Sequence, residues 1–428
     1  MKRGIILLVV DLFLLLIIII PFQTYAATYY VSTSGDDTNS GIESEPWQSL
    51  YKTSTSINDG DTVLLKQGDT WLINENKRTE FKVGCGLWIN NDNITISSYG
   101  DDITDKPVID ASGMSDPQLL RSTQSFAPIE VGTVYNIEPT NAIIKNLNLI
   151  GPFLGSTLQA YSIGDGFTVK NCDFTGDGWL DNDVSDAEAL MIIGNDDDDI
   201  LIEDCIFNTY DTDDYYSKAI EIRGGQGHVI RGNIFNGYTG GGALRFSNYV
   251  TGGLIENNYF YNPDFRRESN QAWALVIRSC DGGTFVVRNN VFDLIGGSDE
   301  DGVAGDDVRG IASWFDYQAT TRKIYNNVFI SDGVGAGVKA QGSSTSTLEI
   351  FNNIFYNLDY GFDSSGGEGD YTHFKNNIFW NVDTQRDTDI ATEVGSIEVN
   401  PLFVNPSMGN HEPYDVMIEL GSPAINAG

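Results

Sequence analysis

Residues 349–355 read EIFNNIF, and residues 373–379 repeat the pattern as HFKNNIF. Apolar and β-branched positions on both sides of a polar pair are typical of a strand, a tight bend and a second strand. Related segments precede these two: IIKNLNL (143–149), TVKNCDF (168–174), LIEDCIF (201–207), VIRGNIF (229–235), LIENNYF (254–260), VVRNNVF (286–292) and KIYNNVF (323–329). Such a repeat predicts a solenoid of stacked coils, because each copy buries its apolar face only against its neighbours.

A second strand precedes each signature from residue 189 on. The segments are ALMIIG (189–194), AIEIRG (219–224), ALRFSN (243–248), ALVIRS (274–279), IASWFD (311–316), GVKAQG (337–342) and GFDSSG (361–366). From the start of this strand to the signature Phe is 16 to 18 residues, whereas from that Phe to the next such strand is 6 to 19. Length variation is therefore concentrated in one connection per coil, which predicts the binding face there.

The polar pair has a structural explanation. In stacked coils the second polar residues lie above one another, so amide side chains can hydrogen-bond along the stack. Asn also tolerates the left-handed backbone of a sharp bend. The column begins with Cys172 and Cys205 and continues with Asn233, Asn258, Asn290, Asn327, Asn353 and Asn377. Neighbouring rungs lie about 4.8 Å apart, which permits a disulfide between the two cysteines, with buried free thiols as the alternative.

The stacked Asn bend and the coil length resemble the pectate-lyase-like superfamily. Further stretches similar to secreted members are TYYVSTSGDDTNSG (28–41), EPWQSL (45–50), GDTVLLKQGDTW (60–71), ITISSYG to KPVIDASG (94–113) and NPLFVNP to GSPAINAG (400–428). The resemblance implies an all-β fold: a right-handed parallel β-helix with an Asn ladder and an N-terminal capping region. It does not define an activity, since the superfamily includes lyases, hydrolases, epimerases, esterases and non-catalytic binders.

The chain divides into four segments by this comparison. Met1-Lys2-Arg3 and an apolar run precede Thr24-Tyr25-Ala26, which predicts a signal peptide over residues 1–26 and a secreted, extracytoplasmic protein. An uncleaved membrane anchor is the alternative. The N-terminal cap and first coils are predicted over 27–110, the β-helix with variable loops on one face over 111–399, and a C-terminal coil and cap over 400–428.

The composition excludes several partners. There are 60 Asp and Glu against 25 Lys and Arg, a net charge of −35, which disfavours binding to nucleic acid or to anionic membranes. Four cysteines without a CxxC pair and three scattered histidines disfavour a zinc site or a His-centred triad. We expect a monomer without stable membrane insertion once the signal is removed.

The superfamily resemblance and the loop lengths both select the first strand of each coil as the site. Alternation with Ile220 and Ile222 buried directs the following side chains outward: Glu221, Arg223, Arg245, Ser247, Val276, Arg278, Lys339 and Asp363. With Lys218, these residues form a basic strip on an acidic protein, which suits an anionic polysaccharide. Ordinary cross-strand salt bridging on an exposed sheet is the alternative.

The loops before these strands carry further candidates. Asp183, Asp211, Asp213 and Asp214 offer the oxygen ligands that Ca²⁺ prefers, although solvated acidic loops explain them equally well. For substrate binding the candidates are Tyr215, Tyr216, Trp273 and Lys339, where the aromatic rings either stack on sugars or hold the long loops against the sheet.

Two chemistries fit these residues. β-Elimination from a uronic acid polymer needs cations to neutralise a carboxylate and a base to remove the adjacent proton, and the catalytic candidates are Lys218, Arg223, Arg245, Arg278 and Glu221. Glycoside hydrolysis needs paired carboxylates, for which Asp213 and Asp214 with Asp183 are available. The Gly-His-Gly pattern of polygalacturonases is absent from the sequence, so hydrolysis ranks second. A non-catalytic carbohydrate-binding β-helix is the third hypothesis.

Overall fold

The structure is a computed structural model, and it contains three long parallel sheets. It describes residues 26–73, 86–102, 104–113, 128–132, 138–151, 158–160, 163–176, 189–193, 198–209, 218–238, 242–263, 271–295, 307–314, 318–341, 346–364, 371–386, 392–404, 417–419 and 421–424. Every strand pair recorded within these ranges is parallel, and each strand pairs with its counterparts in the preceding and following coils. The chain visits sheet 1, sheet 2 and sheet 3 in turn.

Sheet 1 has 11 strands among the described residues. They are β4 (Leu87–Ile89), β7 (Ile129–Val131), β10 (Leu158–Ala160), β13 (Ala189–Ile193), β16 (Lys218–Arg223), β19 (Leu244–Ser247), β22 (Gln271–Arg278), β25 (Asp307–Trp314), β28 (Ala336–Gln341), β31 (Tyr360–Asp363) and β34 (Thr384–Arg386). The connections that enter this sheet vary most in length: eight residues separate β15 from β16, thirteen separate β24 from β25, and three separate β30 from β31. The variable connections therefore lead into sheet 1, as the repeat spacing predicts, and the placement of the binding face there remains a prediction.

Sheet 2 has 13 strands within the same ranges. They are β1 (Thr28–Val31), β2 (Thr62–Lys66), β5 (Thr95–Tyr99), β8 (Ile143–Lys145), β11 (Thr168–Lys170), β14 (Leu201–Glu203), β17 (Val229–Arg231), β20 (Gly253–Glu256), β23 (Thr284–Arg288), β26 (Thr321–Tyr325), β29 (Thr347–Phe351), β32 (Tyr371–Lys375) and β35 (Thr392–Val394). From β8 to β32, each of these strands contains the first residues of a signature segment.

Sheet 3 has 12 described strands. They are β3 (Thr70–Leu72), β6 (Val108–Asp110), β9 (Asn148–Ile150), β12 (Asp173–Gly176), β15 (Ile206–Thr209), β18 (Ile234–Tyr238), β21 (Tyr259–Pro263), β24 (Val291–Asp293), β27 (Val328–Ile330), β30 (Ile354–Tyr356), β33 (Ile378–Trp380) and β36 (Ile397–Glu398). From β9 to β33, each follows sheet 2 after the short bend that the polar pair predicts.

The described part of the chain contains one α-helix, α1 (Leu50–Ser56), near the N-terminal end of the solenoid. The Ser49 hydroxyl caps it by accepting a hydrogen bond from the Lys52 amide at 3.0 Å. The Ser54 hydroxyl in turn accepts a bond from the Trp88 amide of β4 at 3.0 Å, which fixes the helix on the first strand of sheet 1. No helix in the described ranges is long and apolar enough to cross a membrane. The segment proposed as the signal, up to residue 25, lies outside those ranges.

The two polar residues of each bend have separate tasks. The first, such as Asn289 with φ 56° or Asn326 with φ 56°, adopts the left-handed backbone that turns the chain. The second is buried and forms the ladder: the Asn290 side-chain amide donates to the Asn327 side-chain oxygen at 3.0 Å and to the Ile255 carbonyl at 3.0 Å. Five such links join Asn233 to Asn377. The predicted Asn ladder is confirmed.

The signature Phe residues form one aromatic column inside the solenoid. Neighbouring rings lie 4.5 to 5.1 Å apart between centroids with interplanar angles of 4° to 9°. The members are Phe174, Phe207, Phe235, Phe260, Phe292, Phe329, Phe355 and Phe379. A Cβ at Gly310 would lie 2.6 Å from the Phe329 ring, and one at Gly337 would lie 2.6 Å from Phe355. Sheet 1 therefore needs very small residues where its strands pass the aromatic column.

Cys172 and Cys205 lie on adjacent rungs, as the repeat predicts. The Cys172 amide donates to the Cys205 sulfur at 3.5 Å, and both thiols are free and buried. Burial raises the pKa of the Cys205 thiol well above its ordinary value. The structure thus shows the second alternative, two inert thiols at the start of the ladder.

Candidate functional site

The outer face of sheet 1 brings the predicted site residues into two adjoining columns. Strand pairing places Glu221 opposite Arg245, Arg245 opposite Val276, and Lys339 opposite Asp363. Arg223 pairs with Ser247, and the same register continues to Arg278 on β22. The alternation deduced from Ile220 and Ile222 is therefore correct for these side chains.

Glu221 is the centre of a compact charged group. Its Oε2 atom accepts hydrogen bonds from Lys218 Nζ at 3.1 Å and from Arg223 Nη2 at 2.9 Å. Its Oε1 atom accepts one from the Ser247 hydroxyl at 3.1 Å and lies 3.6 Å from Arg245 Nε. A single carboxylate thus positions three cations from two neighbouring strands.

These charges determine the protonation states of the group. Burial raises the pKa of the Glu221 carboxyl, but Lys218, Arg223 and Arg245 outweigh this effect and bring the pKa to about 2. Burial is also the main cause of a lowered pKa at Lys218, assisted by the charges of Arg245 and Arg223 and opposed by Glu221. Glu221 is therefore an anion at neutral pH and cannot act as a general acid, whereas Lys218 is shifted toward the neutral form that a base requires.

Lys218 faces outward because the start of β16 is irregular. Residues three apart point to opposite faces of a regular strand, yet the Lys218 and Glu221 side chains meet on one face. The backbone amides of Ala219 and Ile220 both donate to the Ala243 carbonyl, at 3.0 and 2.8 Å, which is the pattern of a local bulge. Regular alternation would direct the Lys218 side chain to the same side as Ile220. The bulge turns it toward Glu221 instead.

A second charged group lies further along the same face. Lys339 Nζ is 2.9 Å from Asp363 Oδ2, and the Arg309 guanidinium lies 5.0 Å from the centre of the Trp273 ring. Trp273 is buried against the outward side chains of Val276 and Ala312. Burial lowers the pKa of Arg309 to about 10, opposed by Asp363, so this residue remains a cation at neutral pH.

Arg309 is not among the site residues that the sequence predicts. The structure assigns it to β25 (Asp307–Trp314), in register with Trp273. Extending the strand pattern two residues upstream of the IASWFD segment would have found it.

Five successive strands of sheet 1 each supply a basic side chain. They are Lys218 and Arg223 on β16, Arg245 on β19, Arg278 on β22, Arg309 on β25 and Lys339 on β28. The described carboxylates that pair with this strip are Glu221 and Asp363. Positive charges therefore recur at roughly 4.8 Å intervals along the helix axis.

The outer face of sheet 2 provides an internal comparison. There Glu203 lies between Lys170 at 2.5 Å and Arg231 at 2.6 Å, and Arg288 lies 2.7 Å from Glu256. Cations and carboxylates alternate from strand to strand on that sheet, so cross-strand salt bridging accounts for them. Sheet 1 also contains such bridges, at Glu221 and Asp363, and differs in that each of five successive strands supplies a basic side chain.

Several predicted residues lie outside the described ranges: the candidate metal ligands Asp183, Asp211, Asp213 and Asp214, and the candidate sugar-stacking residues Tyr215 and Tyr216. Among the residues that the structure does describe, no group of three or more His, Cys, Asp or Glu side chains is arranged to hold a metal ion. The Ca²⁺ site therefore remains a prediction.

If the four aspartates bind Ca²⁺, chelation with EGTA will lower activity on an acidic glycan and lower the thermal midpoint, because a cation that binds only the folded state stabilises it by mass action. Adding excess Ca²⁺ will restore both, and Mg²⁺ at the same concentration will not. Unchanged activity and an unchanged midpoint after chelation would remove calcium from the site.

Comparison with known proteins agrees with this architecture. Residues 189–379 match a family model described as "Right handed beta helix region". A lacto-N-biosidase of Bifidobacterium longum subsp. longum is 41% identical over 136 residues, which span 27% of this chain and 8% of that protein. The matched segment thus spans less than a tenth of the length of this relative.

Two solved structures share the fold. The pectate lyase Pel9A superposes with a TM-score of 0.51 at 16% identity, covering 83% of this chain and 80% of that one. A GH136 lacto-N-biosidase from Eubacterium ramulus gives 0.50 at 16% identity, with 87% and 67% covered. The protein is a right-handed parallel β-helix, the fold that it shares with these two structures. This fold supports both lyases and glycoside hydrolases.

Proposed function

We propose that the protein is a polysaccharide lyase that cleaves an acidic glycan by β-elimination on the outer face of sheet 1. The observation that carries the proposal is the basic strip, in which five successive strands each present a cation on a protein with a net charge of −35. An extended polyanion lying along the helix axis would meet a positive charge at each strand.

The residues divide naturally between binding and proton transfer. Arg223 and Arg245 retain side-chain exposures of 29% and 16%, so they are placed to bind a sugar carboxylate and neutralise its charge. Neutralisation acidifies the adjacent C–H bond, and Lys218, with its lowered pKa, is the candidate base that removes this proton. The electron pair of the C–H bond then forms a carbon–carbon double bond as the carbon–oxygen bond to the leaving group breaks, and the leaving oxygen takes a proton from water. Glu221 holds the two guanidinium groups in place and accepts a hydrogen bond from Lys218.

Hydrolysis is the second candidate, supported by the likeness to lacto-N-biosidases. That reaction needs a carboxyl group whose pKa is raised so that it can protonate the leaving group. On the described part of sheet 1, Glu221 has a pKa of about 2 and Asp363 is paired with Lys339, so neither fits this role. The remaining candidates are Asp183, Asp213 and Asp214.

Incubation with polygalacturonate, alginate and other acidic polysaccharides distinguishes the two reactions. Elimination produces a conjugated double bond that absorbs ultraviolet light, and it produces one for every new reducing end. Reducing ends without new absorbance would establish hydrolysis instead. Binding without either product would leave a non-catalytic carbohydrate-binding protein.

Replacement of Arg245 by Ala should lower kcat/KM on the acidic polymer by roughly 10- to 100-fold, the value of one charge-assisted hydrogen bond. Stability should change little, because Lys218 and Arg223 remain next to Glu221. Arg231→Ala on sheet 2 is the matched control, since it removes an equivalent surface cation outside the strip. Equal turnover of wild type and Arg245→Ala would exclude Arg245 from the site.

A further inference from the structure

A cavity of about 550 Å³ opens on the outer side of sheet 2, on a different face of the solenoid from the basic strip. It lies over the last three strands of that sheet and is lined by Glu349, Phe351, His373, Phe374, Lys375 and Val394. This volume falls in the range of ordinary small-molecule sites. None of these side chains has a part in the reaction proposed above.

The cavity begins where a column of aromatic rings ends. Tyr325 and Phe351 stack with centroids 4.7 Å apart and an interplanar angle of 9°. The next positions in register are Lys375, which is exposed, and Val394, which is 58% exposed. One face of the Phe351 ring is thus covered by Tyr325, no further aromatic ring follows Phe351 in the described part of this column, and Phe351 lines the cavity together with Lys375.

The Tyr325 and Phe351 rings form an aromatic platform that is held in place by Arg288 and Glu256. The Tyr325 hydroxyl accepts a hydrogen bond from Arg288 Nη1 at 3.2 Å, and the Arg288 guanidinium forms an ion pair with Glu256 at 2.7 Å. These links restrict the rotamer of Tyr325 and, through the ring contact, that of Phe351. A platform that is already ordered binds a flat ligand with less loss of conformational entropy.

The polar residues beside the platform suit hydroxyl groups. Strand pairing places Glu349 next to His373. Two residues further along the same strands, it places Phe351 next to Lys375. They supply a carboxylate acceptor, an imidazole and an ammonium donor around one apolar ring face. Glu349, which also lies 4.0 Å from Lys323, places a carboxylate beside the Lys375 ammonium, so an anionic ligand in this cavity would meet a negative charge.

We propose that this cavity is a second carbohydrate site that binds a neutral sugar, with the apolar face of the pyranose ring on Phe351 and its hydroxyls bonded to Glu349, His373 and Lys375. An aromatic face bordered by a few polar groups is the arrangement that recognises such a ring. The site is independent of the basic strip, and the protein would hold a neutral part of a glycan there whether or not it cleaves an acidic part on sheet 1.

The test uses the full chain and four neutral disaccharides as probes: cellobiose, xylobiose, lactose and maltose. Saturation-transfer NMR should show transfer to at least one of them, and calorimetry should give its Kd. Phe351→Leu retains apolar volume but removes the ring face, so it should weaken that probe tenfold or more. Tyr249→Ala, which removes a 54% exposed aromatic outside the cavity, is the matched control and should bind as wild type.

Arg245→Ala should also bind the neutral probe as wild type, which separates this proposal from that of the lyase. Circular dichroism and the thermal midpoint of Phe351→Leu establish that the variant is folded. The proposal is overturned if no probe shows saturation transfer at millimolar concentration, or if folded Phe351→Leu binds within threefold of wild type. Loss of lyase activity in Arg245→Ala with unchanged binding of the neutral probe supports both proposals.

Discussion

Replacement of Glu221 by Gln is expected to destabilise the protein by about 3–5 kcal/mol, the usual loss when one partner of a buried ion pair is removed. Glu221 is 3% exposed and is the common acceptor for Lys218, Arg223 and Ser247. A neutral amide of the same shape leaves Lys218 buried without its counter-ion. The midpoint of urea or thermal denaturation measures the effect.

Glu349→Gln on sheet 2 is the matched control. The Glu349 side chain is 34% exposed and its nearest cation, Lys323, lies at 4.0 Å, so this exposed pair should contribute at most about 1 kcal/mol. If the two variants lost equal stability, Glu221 would contribute no more to folding than the carboxylate of an exposed ion pair.

The same carboxylate predicts a pH dependence. The pKa of Glu221 falls from an ordinary 4.5 to about 2 on folding, so the unfolded chain binds a proton more readily than the folded chain between these values. The stability that Glu221 provides, about 3 kcal/mol, is complete above pH 4.5 and is lost as the pH falls toward 2. In Glu221→Gln this part of the acid dependence should disappear.

Replacement of Asn290 by Ala should cost a similar amount, about 3–5 kcal/mol, for a different reason. The Asn290 side-chain oxygen accepts from the backbone amide and the side-chain amide of Asn258, at 2.9 and 3.0 Å. Its own amide donates to Asn327 and Ile255. Truncation leaves several buried polar groups without partners, each costing about 1–3 kcal/mol, and opens a void in the ladder.

The neighbouring Asn289 is the control for this second variant. It is exposed and has φ 56°, and its part in the bend is conformational. Asn289→Gly should therefore change stability by less than about 1 kcal/mol, since Gly adopts this backbone without strain, whereas Asn289→Ala should lose about 1–2 kcal/mol. An equal loss in Asn290→Ala and Asn289→Gly would contradict the division of tasks within the bend.

Much of the fold was predictable because its determinants are local and repeat. The Asn pair defines the bend, the signature Phe lies at a nearly constant distance after the start of the sheet 1 strand, and alternation then gives the facing of Arg245, Arg278 and Lys339 without any knowledge of the tertiary structure. Coil stacking brings equivalent positions into register, so the same side-chain pattern occurs in every coil and each coil supports the interpretation of the others.

The energetics of the site were not predictable from that pattern. The bulge that turns Lys218 toward Glu221 arises where β16 passes over the core, and the proximity of Arg309 to Trp273 depends on the register between β22 and β25. Equally, sequence spacing gives no measure of burial, and it is burial together with three cations that determines the protonation of Glu221.

The amino-acid sequence by itself determined the repeat, the Asn ladder, the Phe column and the sheet that carries the basic side chains, because each depends on residues close together in one coil or on the same position of the next. Only the tertiary structure decided which of those side chains form one charged group, and that the aromatic column on sheet 2 ends at a cavity beside Phe351. The physical reason is that charge interactions and cavities depend on distances of a few ångströms across coils, and those distances are fixed by packing.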